Sequence, residues 1–203
     1  MANTDSPFGL RPHNKLGSNA NSMGMTPYKV QIAGVAGSSS SIFQGDMVIP
    51  LTNGLVDVSA ADGGSVAILG VMAGCEYTAL DGTPTFSPNY PGTSSLKSGT
   101  EATVFVYDDP FQVYEVQADA TLTNLATATA LIHSNAEGTG FGSETANGIS
   151  SGEISVSSAG ATTATDNFRI VGIKDVPAID YASAGVVLLV KLNLPFHTAT
   201  TGL

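Results

Sequence analysis

Short apolar runs with a two-residue period recur along this chain, cut at near-regular intervals by glycine, proline and asparagine. Gly185–Leu194 is the clearest of them. Val186, Leu188, Val190, Leu192 and Leu194 fall on one side of an extended backbone, because successive side chains of a strand point to opposite faces. Val104 and Val106 alternate with Phe105 and Tyr107, the pattern of a strand covered on both faces. Further strands are predicted at Pro27–Ile32, Ile42–Leu51, Leu55–Ser59, Val66–Tyr77, Phe111–Gln117, Glu153–Ser158 and Asp166–Ile173. No repeat of fixed period links them. Many short strands with turn residues between them predict an all-β fold, a β-barrel or a β-sandwich.

The turn chemistry refines this picture. Asn53-Gly54 and Asn147-Gly148 predict tight hairpins, since both residue types tolerate the positive φ of a type I′ turn. Asp62-Gly63-Gly64 predicts another turn, and Gly45-Asp46 a bulge or turn. Asp108-Asp109-Pro110 is expected to join Thr103–Tyr107 and Phe111–Gln117 as a hairpin. Gly70 and Gly74 predict sharp curvature or close backbone approach, as at a barrel corner. Leu122–Ser134 is the one candidate helix, with Leu122, Leu125, Thr129 and Ile132 on its apolar face.

Residues 1–24 carry Pro7 and Pro12 and no periodicity, and read as an extended N-terminal arm. Residues 25–203 read as a β-rich body with loop excursions near 80–98 and 133–149, the first docking by Phe86 and Tyr90. The body ends in an extended tail, Pro195–Leu203. Val35–Ser41 reads as a flexible connector. The opening MANTDSPFGLRPHN lacks the apolar stretch of a signal peptide, and Gly185–Leu194 is too short to span a bilayer. No membrane association is expected. The 203 residues can bury a core without staples, and Cys75, the single cysteine, is expected to be a small buried hydrophobe.

Charge is sparse and uneven. The net charge is −10 with 12% charged residues. No Lys or Arg occurs between Ser98 and Phe168, where Glu101, Asp108, Asp109, Glu115, Asp119, Glu137, Glu144, Glu153 and Asp166 fall. Phosphate backbones need cationic partners, so no nucleic-acid binding is expected. Arg11, Lys15 and Lys29 lie near the N-terminus, and a basic arm on an acidic body could reach an acidic neighbour.

Catalytic chemistry is not expected. Gly148-Ile149-Ser150-Ser151-Gly152 matches G-x-S-x-G, and Asp166, Asp175 or Asp180 and then His197 follow in hydrolase order. The nucleophile elbow needs a strand turning into a helix above a parallel sheet, whereas EISVSS after the motif reads as strand. Gly138–Ser143 lacks the lysine of a phosphate-cradling loop and reads as a mobile surface loop. His13, His133 and His197 have no ligand spacing. The Asp108-Asp109 pair, with Glu101 or Asp119, offers hard oxygens but reads first as a turn, so neither metal nor cofactor is expected.

Phe8 and Leu10 are apolar residues in a segment that cannot fold alone. They are expected to anchor the arm in a groove of its own body or of a neighbouring subunit. Phe8, Leu10 and Arg11 are the candidate contacts with a neighbour, and Phe196 and His197 are candidates in the tail.

Ser6–Pro12 (SPFGLRP), Val106–Asp119 (VYDDPFQVYEVQAD), Asn167–Ile173 (NFRIVGI) and Val186–Gly202 (VVLLVKLNLPFHTATTG) occur in this order. Together they resemble small structural proteins of tailed bacteriophages, in particular capsid decoration or cement proteins. The resemblance implies a β-rich protein made in the host cytoplasm and placed on the outer surface of the virion, where it clamps neighbouring major capsid proteins. It also implies self-association, as a homotrimer most often, with a dimer or monomer as alternatives. A tail, head-fibre or adhesin-like component binding a host-surface glycan is the other reading, to which Phe86, Tyr90 and Phe141 would contribute.

Overall fold

A computed structural model describes residues 3–17, 24–32, 37–59, 66–175, 179–200 and 202–203. The expected turn at Asp62-Gly63-Gly64 and part of the Val35–Ser41 connector lie outside the described residues. Strand accounts for 41% of the chain and helix for 7%, so the fold is all-β. In chain order the strands are β1 (Arg11–Lys15), β2 (Thr26–Gln31), β3 (Met47–Pro50), β4 (Val56–Val58), β5 (Gly70–Thr78), β6 (Pro84–Ser87), β7 (Ala102–Tyr107) and β8 (Gln112–Gln117). A short helix, α1 (Leu125–Ala130), follows. Then come β9 (Asn135–Ala136), β10 (Gly138–Thr139), β11 (Glu144–Ala146), β12 (Ile149–Ser150), β13 (Glu153–Ile154), β14 (Phe168–Ile173) and β15 (Val187–Leu192).

Two antiparallel sheets form the body. One has five strands in the order β1-β8-β15-β14-β9. The other has six, in the order β2-β7-β5-β3-β4, with β6 added to β5. The six-stranded sheet rolls until β4 lies beside β2. Ser38 stitches that seam: its N–H donates to the Val30 carbonyl (3.3 Å) and its hydroxyl to Asp57 Oδ1 (2.5 Å). Gly70 permits the roll, because a Cβ there would sit 2.3 Å from the Tyr107 carbonyl oxygen. The architecture therefore combines both expected forms, a nearly closed barrel with a second sheet packed on its outside.

Alternation explains how one sheet serves two cores. Met47, Ile68 and Val71 face a core shared with Tyr114, Val116, Phe168, Ile170, Leu188 and Val190 of the five-stranded sheet. Their neighbours Val48, Leu69 and Met72 face the barrel interior, with Val30, Tyr90, Val104 and Val106. Each fully buried Val, Leu or Ile contributes about 1.5–3 kcal/mol relative to exposure.

Several local expectations are corrected. Thr103–Tyr107 and Phe111–Gln117 do not form a hairpin: β7 pairs with β2 and β5, β8 with β1 and β15. Asp108-Asp109-Pro110 instead carries the chain from one sheet to the other, as Val104 and Val106 belong to one core and Tyr114 and Val116 to the other. At Asn53-Gly54 only Gly54 has positive φ (+80°), and Leu51 bonds Leu55 across a three-residue loop that follows no type I′ geometry. Asn147 (φ 56°) and Gly148 (φ 79°) do make the predicted I′ turn, between β11 and β12. Helix α1 is capped by Asn124 and buries Ala128, while Leu125 is exposed, so its inward face is not the expected one.

Candidate contact surfaces

The N-terminal segment is tied down along its described length. Asn3 bonds the backbone of Asp180 in both directions. The buried Gln117 amide accepts from Ser6 N–H (3.1 Å) and donates to the Thr4 carbonyl (3.0 Å). Gly9 then turns at φ +66° against Gly45 and Ser150, where a Cβ would lie 2.9 Å from the Gly45 oxygen and 2.7 Å from Ser150 Cβ. That close approach lets Leu10 N–H donate to the Gly45 carbonyl (3.0 Å) and its side chain enter the core, 2% exposed. From Arg11 the chain pairs with β8 as the edge of the five-stranded sheet. Of the two grooves expected to take the arm, its own body's holds Asn3–Leu16. Leu10 fills its own core and is not available to a neighbour, which corrects its assignment. Removing Ala2–Asn14 would strip β8 of its edge partner.

Phe8 and Arg11 remain at the surface. Phe8 is half-buried and Arg11 exposed, and the guanidinium carbon stands 4.0 Å from the Phe8 ring centroid. A cation over a ring face is held by the ring quadrupole, so the two act as one unit. They border a cleft of about 130 Å³ together with Leu10, Pro12, Gln44, Met72, Tyr107 and Ile149. Lys15 pairs with Asp109 (2.5 Å). Burial works against that carboxylate, but the hydrogen bonds from Lys15 and from Phe111 N–H hold Asp109 below the usual range.

The tail is docked too. Ile68 N–H donates to the Leu194 carbonyl (2.9 Å) and Phe196 N–H to the Ile68 carbonyl (2.8 Å), so Phe196 packs half-buried against the barrel core. His197 is exposed, its Nε2 3.3 Å from Tyr28 Oη and 3.4 Å from Asp108 Oδ2. Tyr28 donates its hydroxyl to Asp108 (2.7 Å). Burial first, then that carboxylate, push the Tyr28 phenol well above its ordinary value.

Residues singled out for chemistry have packing roles. Ser150 is fully buried and donates to Asp46 Oδ1 (2.5 Å), with no histidine among its partners. Asp46, 0% exposed, also accepts from Gly142 N–H (3.0 Å) and Phe43 N–H (2.9 Å). Burial outweighs these three donors and raises the Asp46 carboxyl. This hub joins the turn at Phe43–Asp46 to both flanks of β11 and β12, and no local sequence signal marks it. Gly138–Ser143 is no mobile loop: Gly138–Thr139 pairs with β13, and Phe141 is buried against Phe168, its ring in the space left by Gly152. Asp108 and Asp109 are engaged by Tyr28 and Lys15, and no cluster able to hold a metal occurs among the described residues. Cys75 is buried, and its thiol is pushed up to about 12 by burial.

Of the two rings expected to dock the 80–98 excursion, Tyr90 is buried as expected but Phe86 is 76% exposed on β6; Phe141, the third aromatic of the glycan reading, is buried. Phe86, Met25, Phe105 and Pro88 border an apolar groove of about 360 Å³ over Gly74. On the other side of Phe86 a cleft of about 180 Å³ is lined by Tyr77, Glu76 and Glu101. The sequence reading missed the groove, since Met25, Phe86 and Phe105 meet only through β2, β6 and β7 flanking one sheet. No family model, curated protein or solved structure matches the chain.

Proposed function

We propose that this is a virion structural protein, without catalytic activity, that decorates the outer surface of a tailed-phage capsid and bridges neighbouring major capsid proteins. The observation that carries the reading is the apolar groove on the β body, beside which Phe86 at 76% and Met25 at 50% exposure are held out to solvent. Large apolar side chains fixed at a surface are what a subunit seam covers. Phe8 and Arg11, with Phe196 and His197, offer polar-rimmed contacts besides it. A sparse, net negative surface suits dense packing of many copies and limits adhesion to free nucleic acid.

Co-sedimentation with expanded capsids that lack the protein tests this. Saturable binding at a fixed ratio to the shell protein is expected. Phe86→Ser is expected to weaken it by about 30–150-fold, the loss of about 2–3 kcal/mol of ring burial. Absence of saturable binding by the folded wild-type chain would refute the reading.

The cleft beside Phe86 favours a second reading, a tail, head-fibre or adhesin-like component. An exposed ring next to Glu76 and Glu101 could stack on a sugar and accept its hydroxyls. Binding to a host-surface glycan, lost in Phe86→Ala and in Glu101→Gln, together with indifference to capsids, would transfer the assignment.

A further inference from the structure

The outer face of the five-stranded sheet changes character along its strands. The register fixes its rows. At one end Lys191 stands directly opposite Arg169 on one side and Val113 on the other. In the middle the half-buried Leu189 stands between Gly172 and Glu115, and Glu115 accepts from Lys174 Nζ (2.6 Å) and pairs with His13 Nδ1 (2.7 Å). Val187, also half-buried, follows opposite Gln117, its carbonyl accepting from Lys174 N–H (3.0 Å). Past Gln117 the chain reaches the exposed Asp119. Gln117 grips Thr4 and Ser6, which sets Asp5 at the same end. Asp5 and Asp119 are the two carboxylates whose charge is felt by Glu153. The face therefore carries Arg169 and Lys191 at one end, Leu189 and Val187 beside the ion-paired Glu115, His13 and Lys174 in the middle, and Asp5 and Asp119 at the other.

Each end is unfavourable in the isolated chain. Like charges directly opposite one another on adjacent strands destabilise a sheet. Arg169 donates to the neutral Asn135 amide (3.1 Å) and pairs with no carboxylate among the described residues. Burial, then Arg169, hold Lys191 below the usual lysine range. The five strands carry Arg11, Lys15, Arg169 and Lys191, four of the 7 Lys and Arg of the chain, but only Glu115 of its 17 acidic residues. At the far end burial, Asp5 and Asp119 push the Glu153 carboxyl up to about 7.

We propose that this face docks on the same face of a second copy about a two-fold axis, Arg169 and Lys191 of each copy meeting Asp5 and Asp119 of the other. An axis lying in the interface at right angles to the strands puts basic end on acidic end twice and Leu189 and Val187 near their counterparts. That self-complementarity is what an isologous contact requires. Five strands about 4.8 Å apart and about 20 Å long give a footprint at the low end of specific interfaces, so the dimer is weak and salt-sensitive. The inference does not rest on the capsid reading.

Sedimentation velocity of the full chain at pH 8, from about 5 to about 500 µM and at about 20 and about 500 mM salt, tests it. A dimer at low salt is expected, weakened by about tenfold or more at high salt. The double variant Arg169→Glu, Lys191→Glu is expected to be monomeric, and so is Asp5→Lys, Asp119→Lys, each with cooperative melting retained. Mixing the two variants restores the dimer, since every reversed end then meets a reversed partner. A wild-type chain that stays monomeric at low salt overturns the proposal. So does a dimer indifferent to salt and to both variants, or a mixture that fails to associate. A monomeric chain that binds a short oligonucleotide through Arg169 and Lys191 overturns it as well, and assigns the face to phosphate.

Discussion

Leu10→Ala separates an arm built into its own body from an arm held ready for a neighbour. Leu10 is 2% exposed and sits in the core shared by the two sheets, its N–H bonded to Gly45. Truncating a buried leucine to alanine costs about 2–5 kcal/mol, the transfer term plus the cavity left behind. A cleft of about 130 Å³ already borders Leu10, so part of the void opens to solvent and the lower half of that range applies. About 2.5–3 kcal/mol is expected. For a chain of this length each kcal/mol moves the melting temperature by about 2–4 °C, which gives a fall of about 5–12 °C. The assay is urea unfolding of the isolated chain, followed by far-UV circular dichroism because the sequence has no tryptophan. The midpoint should drop while the m-value stays constant, since the unfolded surface is unchanged. Phe8→Ala, on a half-buried side chain, should cost less than about 1 kcal/mol. A clasp reserved for another subunit would leave the isolated Leu10→Ala chain untouched. A loss below about 0.5 kcal/mol would refute the docked segment.

Three other perturbations address the hub, the acidic end and the β10–β13 packing. Asp46→Asn sets an amide N–H₂ against at least one of the three donors that Asp46 accepts, and should cost about 2–4 kcal/mol in urea unfolding; an unchanged midpoint would remove the hub. Glu153 titrates near 7 in the folded chain, above an unfolded glutamate at about 4.3, so its contribution to stability is present in acid and is lost as pH rises through about 7. The urea midpoint should therefore decline across that window more steeply in the wild type than in Glu153→Gln, and parallel profiles would contradict it. Gly152→Ala places a Cβ 2.2 Å from the Phe141 ring and should cost about 1–3 kcal/mol, with loss of ordered Phe141 and Phe168 ring signals in NMR spectra; a fully stable variant would mean the ring is not packed there.

What the sequence could reveal was set by the range of each signal. Alternation in Val186–Leu192 is a property of adjacent residues, and those side chains do face one core. The asparagine-glycine pairs are local too, yet only Asn147-Gly148 takes both positive φ values. At Asn53 the side chain instead accepts from Leu55 N–H (3.0 Å), which stabilises a longer loop. Asp108-Asp109-Pro110 has the composition of a hairpin and of a crossover alike. The choice falls to the strands that compete for β8, and its two edges are taken by β1 and β15, both distant in sequence. Ser150 shows the same limit on the functional side. Its glycine-flanked motif suggests a nucleophile, but the group that accepts its hydroxyl hydrogen bond is Asp46, 104 residues away, and both are sealed from solvent. Phe8 and Leu10 were legible as anchors because an apolar pair between prolines has no use in a free chain. Which groove takes them depends on Gly45 and Ser150 lying beside Gly9, where no side chain fits. The cationic end of the outer sheet face follows the same logic: Arg169 and Lys191 are ordinary strand residues in sequence. Their opposition exists only because β14 and β15 pair in this register, and like charges so placed destabilise the sheet.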